Sequence, residues 1–303
     1  MMFLGIDTSN YTTSVALVDE TGVVANVKKL LPVATGAAGL RQSDAVFHHT
    51  VQLPELIESL GARSLTAIGY SAKPRAVEGS YMPCFLAGAA VARSLGGMLG
   101  IPTYPCSHQE GHLAAALYSA GRLDLLGGRF LAFHVSGGTT DLVYADGGEI
   151  TPLGGTADLN AGQAIDRIGL ALGLTFPCGP ALERLAEGHV AKKPKICVKD
   201  TVCHLSGLEN QAKQMLAAGT PAGEVAAYTL RFIGDTLAEL TAHARARYGA
   251  IPVLYAGGVM SNRYLQGRLA DGDALFAEPA FSADNAAGVA LLCRAQHLRT
   301  NSK

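Results

Sequence analysis

Apolar and polar positions follow the same pattern at two places in the chain. Residues 3–23 (FLGIDTSNYTTSVALVDETGV) and 130–150 (FLAFHVSGGTTDLVYADGGEI) align without a gap, and their apolar positions match throughout. Each copy reads as an apolar strand, a short turn rich in hydroxyls or glycine, and a second, alternating strand, which is typical of a β-hairpin. Two such hairpins in two halves of the chain predict two related lobes.

Helical periodicity alternates with short apolar runs through the rest of the chain. The first half is predicted to contain a helix at 51–61, a strand at 66–71, a helix at 83–98, a strand at 101–105 and a helix capped by Ser107. The second half is predicted to contain helices near 160–172, 180–187, 207–217, 223–247, 261–270 and 283–298, with strands at 252–256 and 274–277. This alternation favours α/β lobes.

The predicted fold class is therefore α/β, with two lobes at 1–106 and 107–303 and a cleft between them. The last helix is expected to be able to pack back on the first lobe. Residues 188–206 (GHVAKKPKICVKDTVCHLS) carry four lysines without helical periodicity and are predicted to form a surface insertion. A solvated loop is the preferred interpretation of those lysines over RNA contact, because such charge runs are common on protein surfaces.

Composition limits the classes of protein that fit. A chain of 303 residues with 49% hydrophobic content can bury a sizeable core and suggests about two domains. With 24 basic and 25 acidic residues, any contact with nucleic acid has to come from a local patch. Six cysteines without a CxxC pair indicate reduced thiols in a cytoplasmic protein. Apolar stretches are short or interrupted, so neither a signal peptide nor a membrane span is expected.

The strongest chemical signal is a pair of histidines, His108 and His112, just after a predicted strand. Helical spacing of four places both imidazoles on one face, where one cation can bind both. The protease motif HExxH is not present, because Glu110 lies two positions after His108 instead of one. Capping or surface exposure is the ordinary alternative for such a pair.

Asp284 at the start of the last predicted helix is the expected third ligand. Its ordinary alternative is a role at the helix N-terminus. Two imidazoles and one carboxylate leave open positions on an ion, as expected where a metal polarises a substrate.

The corners of the two hairpins are predicted to bind phosphate. Ser136-Gly137-Gly138 and the first corner, with candidates Asp7, Thr8, Ser9 and Thr12, can present backbone N–H groups and hydroxyls to an anion. Hairpins also use glycine for turn geometry alone, so the prediction of phosphate binding depends on the presence of two such corners.

A third glycine corner, Gly257-Gly258, follows an apolar strand and leads through Asn262 into a helix. Such a corner admits part of a ligand near a helix N-terminus, although it is not the GxGxxG pattern of a dinucleotide fold. Asp166 and Gly179 flank one helix and are predicted to meet a ribose. Alone, each is also typical of a surface aspartate and a turn glycine.

In the order in which they occur along the chain, these motifs resemble those of the TsaD family, the tRNA N6-adenosine threonylcarbamoyltransferases once regarded as glycoproteases. The resemblance runs from about residue 3 to 295, through blocks that are GIDTS (5–9), HQEGH (108–112), VSGGTTDLV (135–143), AGQAIDRIGLALGL with PCGPALERLA (161–186), SGL (206–208), AGGVMSNRYL (256–265) and ADNAA (283–287). It implies an actin-like ATPase fold with two RNase H-like lobes.

The resemblance also implies roles for individual residues. The metal, iron or zinc with magnesium as a third choice, is expected on His108, His112 and Asp284. The donor, threonylcarbamoyl-AMP, and related ATP or AMP ligands are expected on a set that comprises His134, Val135, Ser136, Gly137, Gly138, Asp166, Gly179 and Asn262. The Ser136–Gly138 amides would stabilise the developing oxyanion. Expected partners are tRNA and TsaB-like and TsaE-like subunits.

This chain departs from the family pattern at Tyr11, at Thr139 and at Glu209, and segment 41–60 replaces the family's longer region. Two other classes are therefore kept beside the transferase. A non-catalytic, TsaB-like subunit has no need of metal ligands. A sugar-kinase-like or ATPase member of the same fold suits the phosphate corners but lacks an acid near Tyr11.

Overall fold

The computed structural model describes residues 1–9, 11–32, 40–61, 63–278 and 285–301. The chain divides into two compact units, one made of Met1–Leu126 with Ala283–Lys303 and the other of Gly127–Ser282. The first boundary differs from the predicted one at 106, because the helix after Ser107 packs on the last helix of the chain. None of the described helices combines the length and the apolar composition that crossing a membrane requires.

The first unit is built on one sheet with strand order β3-β2-β1-β4-β5. Its strands are β1 (Phe3–Ser9), β2 (Thr12–Val18), β3 (Val23–Leu30), β4 (Ala67–Lys73) and β5 (Thr103–Ser107). Its described helices are α1 (Gln42–Ser59), α2 (Phe85–Leu99), α3 (His108–Ser119) and the last helix of the chain, α9 (Ala286–Asn301), with a 3₁₀ turn at Leu123–Leu125. Strands β1 to β3 are antiparallel, and β4 and β5 continue the sheet in parallel.

The second unit is built on a sheet with strand order β12-β11-β6-β7-β8-β10-β9. Its strands are β6 (Phe130–Val135), β7 (Thr140–Asp146), β8 (Glu149–Thr156), β9 (Cys197–Lys199), β10 (Val202–His204), β11 (Val253–Ala256) and β12 (Ala274–Phe276). Its described helices are α4 (Ala161–Ala171), α5 (Gly179–Ala186), α6 (Ser206–Ala217), α7 (Ala222–Tyr248) and α8 (Arg263–Leu269), with a 3₁₀ turn at Gly258–Ser261.

Each of the two sheets contains five strands in the same arrangement. The order β3-β2-β1-β4-β5 in the first unit corresponds to β8-β7-β6-β11-β12 in the second, with the same antiparallel and parallel pairings. The duplicated hairpins predicted from the sequence are thus β1–β2 and β6–β7. The second unit adds the β9–β10 hairpin at the β8 edge, so residues 188–206 are not only a loop as predicted.

Helix α1 begins well before the predicted 51–61. Its buried side chains, at helical spacing, are Ala45, His49, Gln52, Leu53 and Leu56. Two of these positions are polar, so the apolar periodicity of the first turns is weak in the sequence. A hydrogen-bonding network compensates for them in the structure.

Close backbone approach seats α9 between α3 and the first sheet. A Cβ at Gly288 would lie 1.9 Å from the Gly111 carbonyl oxygen, and one at Gly5 would lie 2.2 Å from the Ala286 carbonyl oxygen. Only glycine permits these separations. The start of α9 is therefore held against β1 and α3, where the histidine pair lies.

Candidate functional site

The histidine pair is placed by a capped helix. Strand β5 ends at Ser107, whose hydroxyl accepts from the Glu110 N–H (3.2 Å) while the Glu110 carboxylate accepts from the Ser107 N–H (2.6 Å). This capping box starts α3 at His108 and makes Ser107 the N-cap, as predicted. Glu110 is used by the cap, and His112 follows His108 one turn later on the same face.

The two imidazoles meet at their Nε2 atoms. These atoms are 3.0 Å apart, and the ring planes cross at 73°. Two nitrogens at this separation can both lie about 2.1 Å from one ion. The donor set at this end of α3 therefore fits a metal with nitrogen ligands.

Asp7 orients the first of these imidazoles. Its carboxylate lies 3.2 Å from His108 Nδ1 and is 2% exposed. It also accepts from the Ser9 hydroxyl (2.7 Å) and from the Ser71 hydroxyl. Burial alone would raise the pKa of Asp7, but the charge of His108 and the hydrogen bonds from His108, Ser71 and Ser9 lower it to about 2. An ionised carboxylate on Nδ1 leaves Nε2 for an ion, the usual arrangement behind a metal-binding histidine.

The beginning of α9 reaches the same place through Asn285. Its Nδ2 donates to the His108 carbonyl oxygen (2.9 Å) and lies 2.6 Å from His108 Nδ1. Its Oδ1 is buried and has no partner among the described residues. The predicted third ligand, Asp284, lies outside the described residues. Within the described part of the chain, no three His, Cys, Asp or Glu side chains form a metal-holding group.

Hydroxyls of the first corner are engaged within their own unit. Thr8 Oγ1 donates to the Cys84 carbonyl oxygen (3.0 Å) and accepts from the Gly88 N–H (3.2 Å), so it faces α2. Ser9 donates to Asp7, and Thr12 is half-buried at the start of β2. The structure therefore places Asp7 and Ser9 beside His108, while Thr8 stabilises the packing of α2 on β1.

The second corner is a tight turn held against a helix. Ser136 N–H donates to the Thr139 carbonyl oxygen (2.8 Å), and the Gly162 N–H donates to the Ser136 carbonyl oxygen (3.2 Å). A Cβ at Gly162 would lie 2.7 Å from Gly137 Cα and N. Gly137 and Gly138 are exposed at this turn, beside the N-terminal end of α4, where backbone N–H groups favour an anion.

A pocket of about 250 Å³ opens beside this turn, entirely within the second unit. Its lining residues are Gly137, Gly162, Ile165, Asp166, Pro177, Gly179, Pro180, Glu183, Gly258, Val259, Ser261 and Asn262. Mostly apolar walls with a few carboxylates and amides are typical of a small-molecule site. Four of the predicted site residues, Gly137, Asp166, Gly179 and Asn262, line it together.

The polar groups of the pocket are fixed by local hydrogen bonds. Asp166 Oδ1 accepts from the Cys178 N–H (2.8 Å), which holds the turn before α5. Asn262 caps α8, since its Oδ1 accepts from the Leu265 N–H (3.0 Å). Glu183 Oε1 accepts from the Arg263 N–H (2.6 Å). Each side chain keeps further polar capacity toward a ligand.

Sequence reasoning missed Glu183 as a functional residue, and it assigned Asp7 to phosphate binding instead of to the support of His108. Glu183 lies one turn after Gly179 on α5, so the i, i+4 spacing was the available signal. The contact of Asp7 with His108 joins β1 to α3, and no local pattern predicts it. His134 is half-buried in β6, and Val135, which pairs with Thr140, is buried there.

Comparison with solved structures identifies the fold. HypF, in a phosphate- and nucleotide-bound form, has a TM-score of 0.63 at 12% identity, covering 99% of this chain and 56% of HypF. Component A of the Acidaminococcus fermentans (R)-2-hydroxyglutaryl-CoA dehydratase has a TM-score of 0.55 at 16% identity, covering 98% of both chains. These neighbours confirm the predicted actin-like ATPase fold.

Sequence comparison identifies the family within that fold class. Residues 33–291 match the model of the TsaD family, tRNA N6-adenosine threonylcarbamoyltransferase, and the chain belongs to this family of transferases. A relative named tRNA N6-adenosine threonylcarbamoyltransferase in Methanopyrus kandleri is 28% identical, covering 96% of this chain and 86% of its own length.

Proposed function

We propose that this chain transfers a threonylcarbamoyl group from threonylcarbamoyl-AMP to N6 of adenosine 37 in tRNAs that read codons beginning with A. Membership of the TsaD family supports the reaction class. The observation that carries the proposal for this chain is the pair of imidazole Nε2 atoms 3.0 Å apart, backed by a buried carboxylate.

The reaction is a substitution at the carbamoyl carbon. The N6 amine of adenosine attacks that carbon, the C–N bond forms, and the bond from the carbon to the phosphate oxygen of AMP breaks. AMP leaves with the electron pair, and N6 gives up one proton. Such a reaction requires stabilisation of the negative charge that develops on the carbamoyl oxygen and on the leaving phosphate.

In the proposed complex, the adenylate occupies the pocket of the second unit. Asp166 and Glu183 would accept hydrogen bonds from ribose hydroxyls, and Asn262 would contact the base. The Gly137 amide, at the exposed turn that the Gly138 N–H closes on the Ser136 hydroxyl (3.3 Å), would face the phosphate and the carbamoyl oxygen. His134, half-buried in β6, would extend that contact, whereas Val135 is buried and would support the turn from within the core.

His108, His112 and Asp284 would hold the metal, iron or zinc, with magnesium less suited to imidazole ligands. A bound ion would supply Lewis-acid polarisation of the carbamoyl group. Asp7 would orient the Nε2 atom of His108 for this role through its contact with Nδ1. TsaB-like and TsaE-like subunits are the proposed protein partners, and the cytoplasm is the proposed location.

The non-catalytic subunit is disfavoured as an alternative. A scaffold has no use for two converging imidazoles oriented by a buried, ionised aspartate, since burying that carboxylate is costly without a function or a partner.

Purified protein with tRNA, threonine, bicarbonate, ATP and the adenylate-forming partner tests the proposal. Modified adenosine should form, and His108→Ala should abolish it together with the bound metal, measured by elemental analysis. His243→Ala, at a partly exposed position on α7, is the matched control and should retain both. Full modification by His108→Ala would contradict the proposed role of the pair.

A further inference from the structure

A basic stretch of surface follows helix α5 in the chain, on the part of the second unit that the duplicated core lacks. Four of the nine lysines of the chain lie between residues 192 and 199, with no acidic residue between them. They belong to the segment that joins α5 to the β9–β10 hairpin and to β9 itself. All four side chains are exposed. A near-neutral protein thus carries four of its 24 basic residues within eight consecutive positions.

The backbone of this segment is fixed, so the lysines occupy defined positions. Ala191 and Pro194 are buried, and Ile196 packs against the core of the second unit. Arg231 donates to the Ala191 carbonyl oxygen, and Gln211 donates to the Lys195 carbonyl oxygen (3.3 Å). Buried and exposed positions alternate from 194 to 199, which turns Lys195 and Lys199 to the same side.

No acidic group neutralises these lysines. In the part of the chain that the structure describes, none of the ion pairs or side-chain hydrogen bonds involves the ammonium groups of Lys192, Lys193, Lys195 or Lys199. By contrast, Lys29 pairs with Glu55 and Lys213 pairs with Glu209. Lysine on an edge strand often prevents pairing between sheets, which accounts for Lys199. It does not account for the three lysines that precede the strand.

We propose that Lys192, Lys193 and Lys195 form a docking surface for the phosphate backbone of the tRNA acceptor. Unpaired ammonium groups on a fixed backbone release counterions from a polyanion without first breaking ion pairs within the protein. The segment is also linked to the pocket through helix α5. This helix begins at the pocket with Gly179 and ends at Ala186, about 10 Å further on, and Lys192 follows six residues later in the chain.

This inference rests on the proposed function for the identity of the polyanion. It assigns the three lysines to affinity for tRNA and leaves the chemistry to the pocket and the histidine pair. Backbone contacts position a nucleic acid without reading its sequence. The lysines should therefore contribute to the binding of any tRNA and to none of the adenylate affinity.

Titration of an unmodified tRNA transcript against the full chain, at several salt concentrations, tests the proposal. The triple variant Lys192→Ala/Lys193→Ala/Lys195→Ala should bind about tenfold more weakly or worse at low salt, and the slope of log K against log salt should fall by about two. The matched control Lys29→Ala/Arg93→Ala/Arg299→Ala removes the same charge from the first unit and should keep the wild-type slope. In the transfer assay, the triple variant should raise KM for tRNA and leave kcat unchanged.

Equal affinity and slope for the wild type and the triple variant would overturn the docking surface while leaving the transferase proposal intact. Failure of the wild type to bind tRNA at any salt concentration would also overturn the docking surface. If the wild type binds tRNA through these lysines but forms no modified adenosine, the docking surface stands and the proposed reaction is wrong.

Discussion

The carboxylate of Asp7 lies 3.2 Å from Nδ1 of His108, although the two residues belong to the first strand and the third helix of the first unit. Ser9 and Ser71 hydrogen-bond to the same carboxylate, so it is ionised and fixed. The contact orients the imidazole whose Nε2 atom meets that of His112. The first hairpin thus supports the histidine pair.

Asp7→Asn should therefore weaken metal binding and transfer without removing a ligand. Loss of a carboxylate behind a metal-binding histidine typically costs about 10- to 100-fold in metal affinity or activity. Metal content after dialysis against a graded chelator, together with the rate of adenosine modification, measures both effects. Asp44→Asn, on a partly exposed aspartate of the same unit, should leave both unchanged. Unchanged metal retention in Asp7→Asn would exclude the orienting role.

The sequence predicted the duplicated hairpins because their apolar pattern is local and occurs twice. It also predicted the start of α3, since Ser107 and Glu110 form a capping box at the expected spacing. The resemblance to the TsaD family implied one ligand site of eight residues. The structure brings four of them, Gly137, Asp166, Gly179 and Asn262, to one pocket, and the other four, His134, Val135, Ser136 and Gly138, are not among its lining residues.

What the sequence did not predict depends on contacts between distant segments. Asp7 was assigned to a phosphate corner, because nothing in β1 indicates that α3 will place His108 beside it. Helix α1 was predicted too short, since His49, before the predicted start at 51, occupies a buried position that periodicity expects to be apolar. The β9–β10 hairpin was missed because three-residue strands carry almost no pattern.

Buried His49 should make stability depend on pH between about 6.5 and 4. The Thr13 hydroxyl donates to Gln52 Oε1 (2.7 Å) and accepts from His49 Nδ1 (2.8 Å). The Nε2 atom is buried and has no partner among the described residues, so a proton there would lack a hydrogen-bond acceptor. Burial lowers the pKa of His49 from 6.5 to about 4. As pH falls through this range, the unfolded chain takes up a proton that the folded chain does not, so stability falls by about 3 kcal/mol.

Chemical denaturation at pH 7 and pH 4 measures this loss. His49→Gln keeps a donor for Thr13 but cannot titrate, so its stability should change less over the same range. The stability that Asp7 contributes is lost mainly below pH 4, because its pKa is about 2. It therefore does not obscure the titration of His49. Parallel pH profiles for the wild type and His49→Gln would contradict the assignment.

Gly162→Ala should damage the turn at Ser136–Gly138. The new Cβ would lie 2.7 Å from backbone atoms of Gly137 and Ser136, which cannot move aside without shifting the turn. Overpacking of this kind costs about 1–3 kcal/mol. Adenylate affinity should fall with stability, measured by calorimetry and denaturation. Gly267→Ala on α8 meets open space and should be neutral or stabilise the protein by up to about 1 kcal/mol.

Glu183→Gln should weaken adenylate binding by about 10- to 100-fold, the worth of a hydrogen bond to a charged group. A glutamine can still accept from the Arg263 N–H through Oε1, so the support of α8 is preserved while one acceptor for a ribose hydroxyl is lost. Glu187→Ala, one turn later at the exposed end of α5, is the matched control and should bind the nucleotide normally. Titration with AMP and with 2′-deoxy-AMP measures the contribution of the ribose 2′-hydroxyl to affinity. The wild type should bind the deoxy ligand more weakly than AMP, and this difference should be smaller for Glu183→Gln. Equal discrimination by both proteins would place the ribose away from Glu183.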